Sequence, residues 1–389
     1  MDLSLLTSNL RRLRSLRKLS QTDLADRAGL SREGYRRMED GAVEPRADSL
    51  LRVAAALEVR LEDLLLPVRQ LKAVRFRAQK RMTKREDLLA TVARWLEDYA
   101  EVEALVDSAA PFRLDELAKE LRRRRRAADP IEAAAKARVA LGIDDSAAIR
   151  NIAGLLEHSG IKVFKPSVAS EGFFGLSVGA EGGGPAIVVN CWDRISVERW
   201  IFTAAHELGH LLLHLDAYDV DKSEEEDAQE AEANLFASHF LMPDSAFAAA
   251  WEEARGLHLV DRVFKVKRIF HVSWKTVVYR ASERSSDGGE MWPQFYAAYK
   301  RSRGFSLRGV DEPHGLAPGA FRQTTLSAAP VAKVADEPEH LLPSDFIEDR
   351  LLRLVRKGVE DEALSLGRAA EVLDLDLPAM RQIAGSWVE

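Results

Sequence analysis

Residues 202–214 read FTAAHELGHLLLH. Two histidines four positions apart flank a glutamate inside a run dominated by alanine and leucine. The apolar spacing predicts a helix that turns Phe202, Leu208, Leu211 and Leu212 into a core. On that helix His206 and His210 project from one face about one turn apart, so both imidazoles can reach one divalent ion. Glu207, beside the first histidine, is then placed to take a proton from a water that the ion activates. Two imidazoles and a carboxylate are costly to bury in such a segment without a partner, and a metal relieves that cost.

Downstream, EAEANLFASHFLMP at 230–243 predicts a second helix, stopped by Pro243. It offers Glu230 as a third metal ligand, with Asn234 four residues on to steady a ligand histidine from behind. Glu232 is the alternative third ligand, although two residues of helix turn it toward nearly the opposite face. His214 continues the histidine face and reads as a residue near the rim, while His239 falls on the far side of its helix. The pattern HExxHxxGxxH is excluded, because Leu213 replaces its glycine and Asp216 its last histidine. Upstream, GIKVF at 160–164 and AIVVN at 186–190 enclose the glycine-rich SEGFFGLSVGAEGGG and predict a small antiparallel sheet.

In order and spacing, GIKVF, AIVVN, RWIFTAAHELGHLLLH, EAEANLFASHFLMP and VSWKTVVYRAS resemble the ImmA/IrrE family of metallopeptidases over about residues 130–284. The resemblance implies a zincin-like, gluzincin-like site in which His206, His210 and Glu230 bind the metal and Glu207 is the catalytic carboxylate. It also implies a protein substrate, since members of that family cleave repressors of the helix-turn-helix type and thereby release DNA-damage or mobile-element genes. Two imidazoles and a carboxylate suit zinc first and manganese as the alternative. Spacing assigns no residue to the oxyanion; Tyr218 and His271 are the candidates.

At the other end, SQTDLADRAGLSREGYRRMEDG at 20–41 lies within five short helical patterns over residues 5–66. Ser20 with Asp23, Ser31, Gly29 and Gly41 supply caps and stops. This stretch resembles the core of the Cro/C1 (XRE) repressors, with Leu24, Ala25, Ala28, Leu30, Tyr35 and Met38 as the apolar anchors. The resemblance implies that the helix after Ser31 enters the major groove of double-stranded operator DNA, exposing Arg32, Glu33, Arg36 and Arg37. Gln21 and Ser31 complete the expected DNA-binding set, Gln21 for a phosphate or base contact. Gly34 departs from the usual filling of that helix. Residues 1–68 carry 12 basic and 11 acidic side chains, a net of +1, and the basic run to residue 85 raises the net to +9, a plausible phosphate footprint. A protein-docking helix-turn-helix that no longer reads DNA is the competing interpretation.

These readings divide the 389 residues into a helix-turn-helix domain (1–68), a basic helical linker (69–129), a peptidase-like domain (130–284) and a C-terminal region (285–389). The fold class is α+β and mostly helical. Within the linker, the five arginines of ELRRRRRAADP read as a solvated helix end. Residues 290–343 read as loop-rich, with His314 and His340 in no ligand spacing, and the tail from 344 returns to helical spacing. That tail, with Leu366, Ala369, Ala370, Val372, Leu373 and Met380 as its buried side, reads as a short helix-turn-helix for docking or dimerisation. A net charge of -6 gives no global pull toward nucleic acid, so any basic surface is local. Cys191 is the single cysteine, which excludes an internal disulfide and fits a reducing cytoplasm. No signal peptide or membrane helix is legible. The expectation is a cytoplasmic, DNA-binding regulator with a metal-dependent endopeptidase acting on a repressor or on itself, and a homodimer on DNA. The alternative is a regulator whose peptidase-like domain senses or oligomerises without turnover.

Overall fold

The computed structural model describes residues 3–17, 19–57, 59, 61–65, 74–78, 85–123, 128–170, 172–214, 227–285, 288–307 and 341–387. Most of the basic run at 69–85, the middle of the arginine block, the acidic loop after Leu215 with Tyr218, and both His314 and His340 lie outside the described residues. Two compact units emerge, Met1–Leu71 with Thr83–Tyr99, and Lys72–Met82 with Ala100–Glu389.

The first unit holds the five expected helices, α1 (Leu3–Leu16), α2 (Gln21–Arg27), α3 (Arg32–Glu39), α4 (Ala47–Leu57) and α5 (Leu61–Leu65). Their starts follow from the caps in the sequence. Ser20 Oγ accepts the Asp23 N–H while the Asp23 carboxylate accepts the Ser20 N–H, and Ser31 Oγ accepts the Gly34 N–H. Gly34 has a reason to lack a side chain, since a Cβ there would stand 2.9 Å from the capping Ser31 Oγ. Between α2 and α3 the chain turns through Gly29 at φ 63°, a conformation that costs a glycine nothing. Leu6, Leu10, Leu24, Ala25, Tyr35, Met38, Val53 and Leu57 form the core, with Leu30 packed at its edge. Each large side chain so buried contributes on the order of 1.5–3 kcal/mol.

Helix α6 (Arg85–Leu105) follows, and its residues to Tyr99 belong to the first unit. The second unit continues through α7 (Asp115–Arg122), α8 (Pro130–Ala140) and α9 (Ile152–His158) to a four-stranded sheet. Its strands are β1 (Val74–Ala78), β2 (Lys162–Phe164), β3 (Phe173–Val178) and β4 (Ala186–Val189), in the order β1-β3-β4-β2. Strand β3 is antiparallel to both β1 and β4, whereas β2 runs parallel to β4. The sheet is therefore mixed rather than wholly antiparallel. The stretch 69–129, expected to be helical, also contributes one strand, β1, to its edge.

Against the sheet lies α10 (Val197–Leu213), and α11 (Asp227–Leu241) packs on α10 and α8, followed by α12 (Asp244–Glu253), α13 (Leu259–Phe270) and α14 (Trp274–Glu283). Contrary to the loop-rich expectation, residues 288–303 form a helix, α15 (Gly288–Arg303). It buries Phe295 and Tyr299 in the same core as α14, with the Phe295 ring stacked on Trp274 at 5.1 Å. The core thus continues past residue 284. The tail forms α16 (Arg350–Glu360), α17 (Leu366–Val372) and α18 (Leu377–Ser386), with Ala369, Ala370, Val372 and Met380 buried as expected. Helix α16 is pinned by its first turn. The backbone N–H groups of Asp349 and Arg350 donate to the Glu157 carboxylate at 3.1–3.2 Å, and the Arg350 guanidinium pairs with Glu103 at 2.7 Å.

Candidate metal centre and DNA-reading helix

Ser196 caps α10 by accepting the Arg199 N–H, and from there the helix carries His206, Glu207 and His210 in complete burial. The ring nitrogens His206 Nε2 and His210 Nε2 lie 2.9 Å apart. Glu230, from the first turn of α11, brings Oε2 to 3.1 Å from His206 Nε2 and Oε1 to 3.0 Å from His210 Nε2. Of the described residues, this is the one group of three whose ligand atoms gather tightly enough to hold a metal ion. Tetrahedral ligands at zinc distances stand about 3.3 Å apart, so only a slight expansion would fit them.

The outer nitrogens explain how the imidazoles are held. His206 Nδ1 lies 3.0 Å from Asn234 Oδ1, an acceptor, so that nitrogen carries the proton and Nε2 presents a lone pair. His210 Nδ1 lies 2.9 Å from His214 Nδ1, and His214 Nε2 lies 2.8 Å from Glu232 Oε2. The Glu232 carboxylate can only accept, which places the His214 proton on Nε2. His214 Nδ1 then accepts from His210, and His210 Nε2 also presents a lone pair. Two lone pairs and a carboxylate thus face one another in a buried space, an arrangement that repels itself until a cation enters. The residues fit a divalent metal on this ground.

Glu207 points to the sheet side of α10. Its Oε2 accepts a hydrogen bond from Ser177 Oγ on β3 at 2.9 Å. Gly175, two residues earlier on β3, leaves the room this needs. A Cβ there would stand 2.5 Å from Thr203 Cγ2, 2.8 Å from Val188 O and 3.2 Å from Glu207 Oε1. A second glycine sets the other side. A Cβ at Gly209 would stand 3.0 Å from Phe236 Cδ1, so α11 can approach α10 closely only because position 209 is bare.

His206, His210 and Glu230, with Asn234 behind them, are therefore brought together, while Glu207 adjoins His206 on the helix and is held by Ser177. The structure corrects two neighbours. His214 is buried rather than placed at the rim, and Glu232 reaches it rather than offering itself as third ligand. Sequence periodicity missed this link because it turned Glu232 away, and a long side chain in the first turns of α11 overrides that. His239 belongs elsewhere, in contact with Arg280, which also pairs with Asp244 and Glu283. His271 ends α13 in a left-handed conformation with Nε2 3.1 Å from Arg150 Nη1, and no described contact joins it to the centre.

On α3, Arg32, Glu33, Arg36 and Arg37 are exposed, as expected for a groove-reading face. Arg36 and Glu33 pair with each other at 2.9 Å. Ser31 is occupied as the cap of α3, and Gln21 donates from Nε2 to Glu39 Oε1 at 2.9 Å. Glu39 is buried and also receives a two-pronged bond from Arg14, at 2.7 and 2.8 Å. The Arg14–Glu39–Gln21 network ties α1, α2 and α3, so Gln21 has a structural task besides any DNA contact.

Comparison with known proteins agrees with both domains. The family described as IrrE N-terminal-like domain matches residues 156–282, and the helix-turn-helix family matches residues 10–64. An uncharacterized HTH-type transcriptional regulator, YqaE of Bacillus subtilis (strain 168), is 32% identical over 84 residues, which is 22% of this chain and 72% of that protein. The chain belongs to the XRE-type helix-turn-helix regulators and carries, behind its DNA-binding module, a domain of the IrrE/ImmA-like peptidase family.

Proposed function

We propose that the IrrE-like domain of this DNA-binding regulator is a metal-dependent endopeptidase that cuts a protein substrate. The observation that carries the reading is the buried convergence of His206 Nε2, His210 Nε2 and the Glu230 carboxylate, with every pair 2.9 to 3.1 Å apart. These three residues hold one divalent ion, zinc first and manganese as the alternative. When bound, the ion supplies Lewis acidity to a peptide carbonyl and to a water. Glu207 takes the proton from the attacking water and returns it to the departing amine. Ser177 fixes one Glu207 oxygen, while Asn234 and the His214–Glu232 pair fix the tautomer and tilt of the two imidazoles.

The substrate is a helix-turn-helix repressor encoded nearby, or the chain itself, and cutting it releases stress, mobile-element or defence genes. Arg32, Arg36 and Arg37, with Glu33, Ser31 and Gln21, position the regulator on duplex operator DNA, where it binds as a homodimer. Its place is the cytoplasm; among the described residues no helix is long and apolar enough to cross a membrane.

The test is to mix the purified chain with the neighbouring gene's repressor and zinc or manganese. Intact protein should cut it, and Glu207→Gln should keep the metal and lose the cut. Cleavage that persists in Glu207→Gln overturns the assignment of the base. Absence of cleavage with either metal overturns the peptidase reading.

A further inference from the structure

Helix α6 crosses from the first unit to the second without a break, between Tyr99 and Ala100. Its far end is gripped by the C-terminal region. Arg350 Nη1 pairs with Glu103 at 2.7 Å and Arg350 Nη2 donates to Ser108 O at 2.8 Å, Lys357 Nζ donates to Val106 O at 2.8 Å, and Arg368 pairs with Glu101. Glu103 and Arg350 are both buried, so this pair is made out of water. Gly358 lets α16 lie close, since a Cβ there would stand 3.3 Å from Val106 Cγ1. The same region also reaches the helix that carries the histidines. Phe346 is fully buried and stands edge-on to Trp200 of α10, with ring centroids 6.2 Å apart. Trp200 lies six residues before His206, and its indole N–H has no hydrogen-bond partner, so packing alone sets the tilt of that ring. Between the two grips, Glu157 of α9 accepts the backbone N–H groups of Asp349 and Arg350. Phe346 and Arg350, four residues apart, thus form one pinned piece that touches α10 at one end and α6 at the other.

We infer that the C-terminal region is a coupling piece, in which Phe346 is a positioning residue for the metal centre and Arg350, Lys357 and Arg368 carry the state of that centre to α6. The inference rests on the metal-binding reading of His206, His210 and Glu230 above. The two-state element is the tail itself, docked or undocked. Metal loading fixes α10 against α11, steadies Trp200 with it, and so favours the docked tail. By linkage the docked tail favours the metal by the same factor. Because α6 continues into the DNA-binding unit, loading of the centre is felt as the stiffening of a helix that this unit shares.

The experiment reads binding and hydrogen exchange on the full chain, with zinc as the probe, so it stands apart from catalysis. Phe346→Ala should weaken zinc binding about fivefold, the low end of coupling between linked sites, and Phe346→Leu should restore most of it. Zinc should slow exchange in residues 100–105 of the unaltered chain. The triple variant Arg350→Met/Lys357→Met/Arg368→Met keeps Phe346 on Trp200 and the apolar stems of the three side chains. It should hold zinc within twofold of the unaltered chain, yet zinc should no longer slow exchange in 100–105. An arm without metal uses chelator-stripped protein, where Phe346→Ala should speed exchange in both 100–105 and 197–204. Zinc affinity of Phe346→Ala within twofold of the unaltered chain, or equal slowing of 100–105 in the triple variant, overturns the inference even if the chain cuts its substrate. So does exchange in the stripped variant that quickens in the tail alone. Failure of the unaltered chain to bind zinc or manganese counts against the metal reading, and the stripped arm still decides whether the tail links the two helices.

Discussion

Gly209 lies between the two histidines, where α11 comes closest to α10. A methyl group there would stand 3.0, 3.2 and 3.3 Å from Cδ1, Cγ and Cβ of Phe236. Carbon atoms rest at about 3.5–4.0 Å, so in Gly209→Ala the helices must part by about half an ångström. Glu230 rides on the same helix, six residues before Phe236, and moves with it. Ligand distances tolerate only about 0.2 Å, so metal affinity should fall on the order of 10- to 100-fold. Folding responds differently. Alanine gains about 1 kcal/mol of helix propensity against about 1–3 kcal/mol of overpacking, leaving a net loss of roughly 0–2 kcal/mol. Competition with a chromophoric chelator measures the first quantity, and urea unfolding in the presence of chelator measures the second. Phe236→Leu in the same chain should make room and return most of the affinity. A Gly209→Ala protein whose metal affinity lies within twofold of the unaltered chain would refute the reasoning.

Other substitutions test other joints. His214→Ala removes the acceptor of the His210 Nδ1 proton and should weaken metal binding about 10- to 100-fold in the same competition assay; unchanged affinity would mean that His214 only fills space. Burial pushes Glu157 up to about 7, against the opposing backbone bonds from Asp349 and Arg350. With the folded value raised, its contribution is full below the ordinary glutamate range and is lost as pH rises through 7. Glu157→Gln should therefore flatten the fall in stability between pH 5 and pH 8 by up to about 3 kcal/mol, and identical slopes in urea unfolding would rule this out. Arg37→Ala, at an exposed position of α3, should weaken binding to any duplex about uniformly and reduce the salt slope by about 1; an unchanged slope would remove Arg37 from the interface.

Much of the centre was legible because its geometry is local. His206, Glu207 and His210 keep their relation on any helix, and Glu230 and Asn234 keep theirs on the next, so spacing offered these five as candidates, with Glu232 as the alternative to Glu230, and the family resemblance chose among them. The caps at Ser20 and Ser31 were legible for the same reason. What escaped depends on tertiary register. His214 meets Glu232 only because α11 lies against α10 at one particular offset. Val74–Ala78 is too short, in too basic a surrounding, to announce a strand, and its partner is far away in sequence. The parallel pairing of β2 with β4 likewise needs α9 and the sheet in place. Helix α15 starts with two glycines and contains Pro293, signals that ordinarily mark loops, and its aromatic packing against Trp274 overrides them. The importance of Glu157 could not be read at all, since one acid in an apolar helix gains its meaning from a backbone nearly two hundred residues later.

His206, His210 and His214 stand in file along α10, with ring centroids 4.6 and 5.1 Å apart, and α11 meets the file with Glu230 across the first two rings and Glu232 at the third. Such a pairing works as a vernier. Sliding α11 by a residue in either direction takes Glu230 from its pair of nitrogens and Glu232 from His214 together, and no intermediate offset satisfies either carboxylate. One offset of α11 thus sets both contacts, so whatever seats Glu230 on its two imidazoles also seats Glu232 on His214.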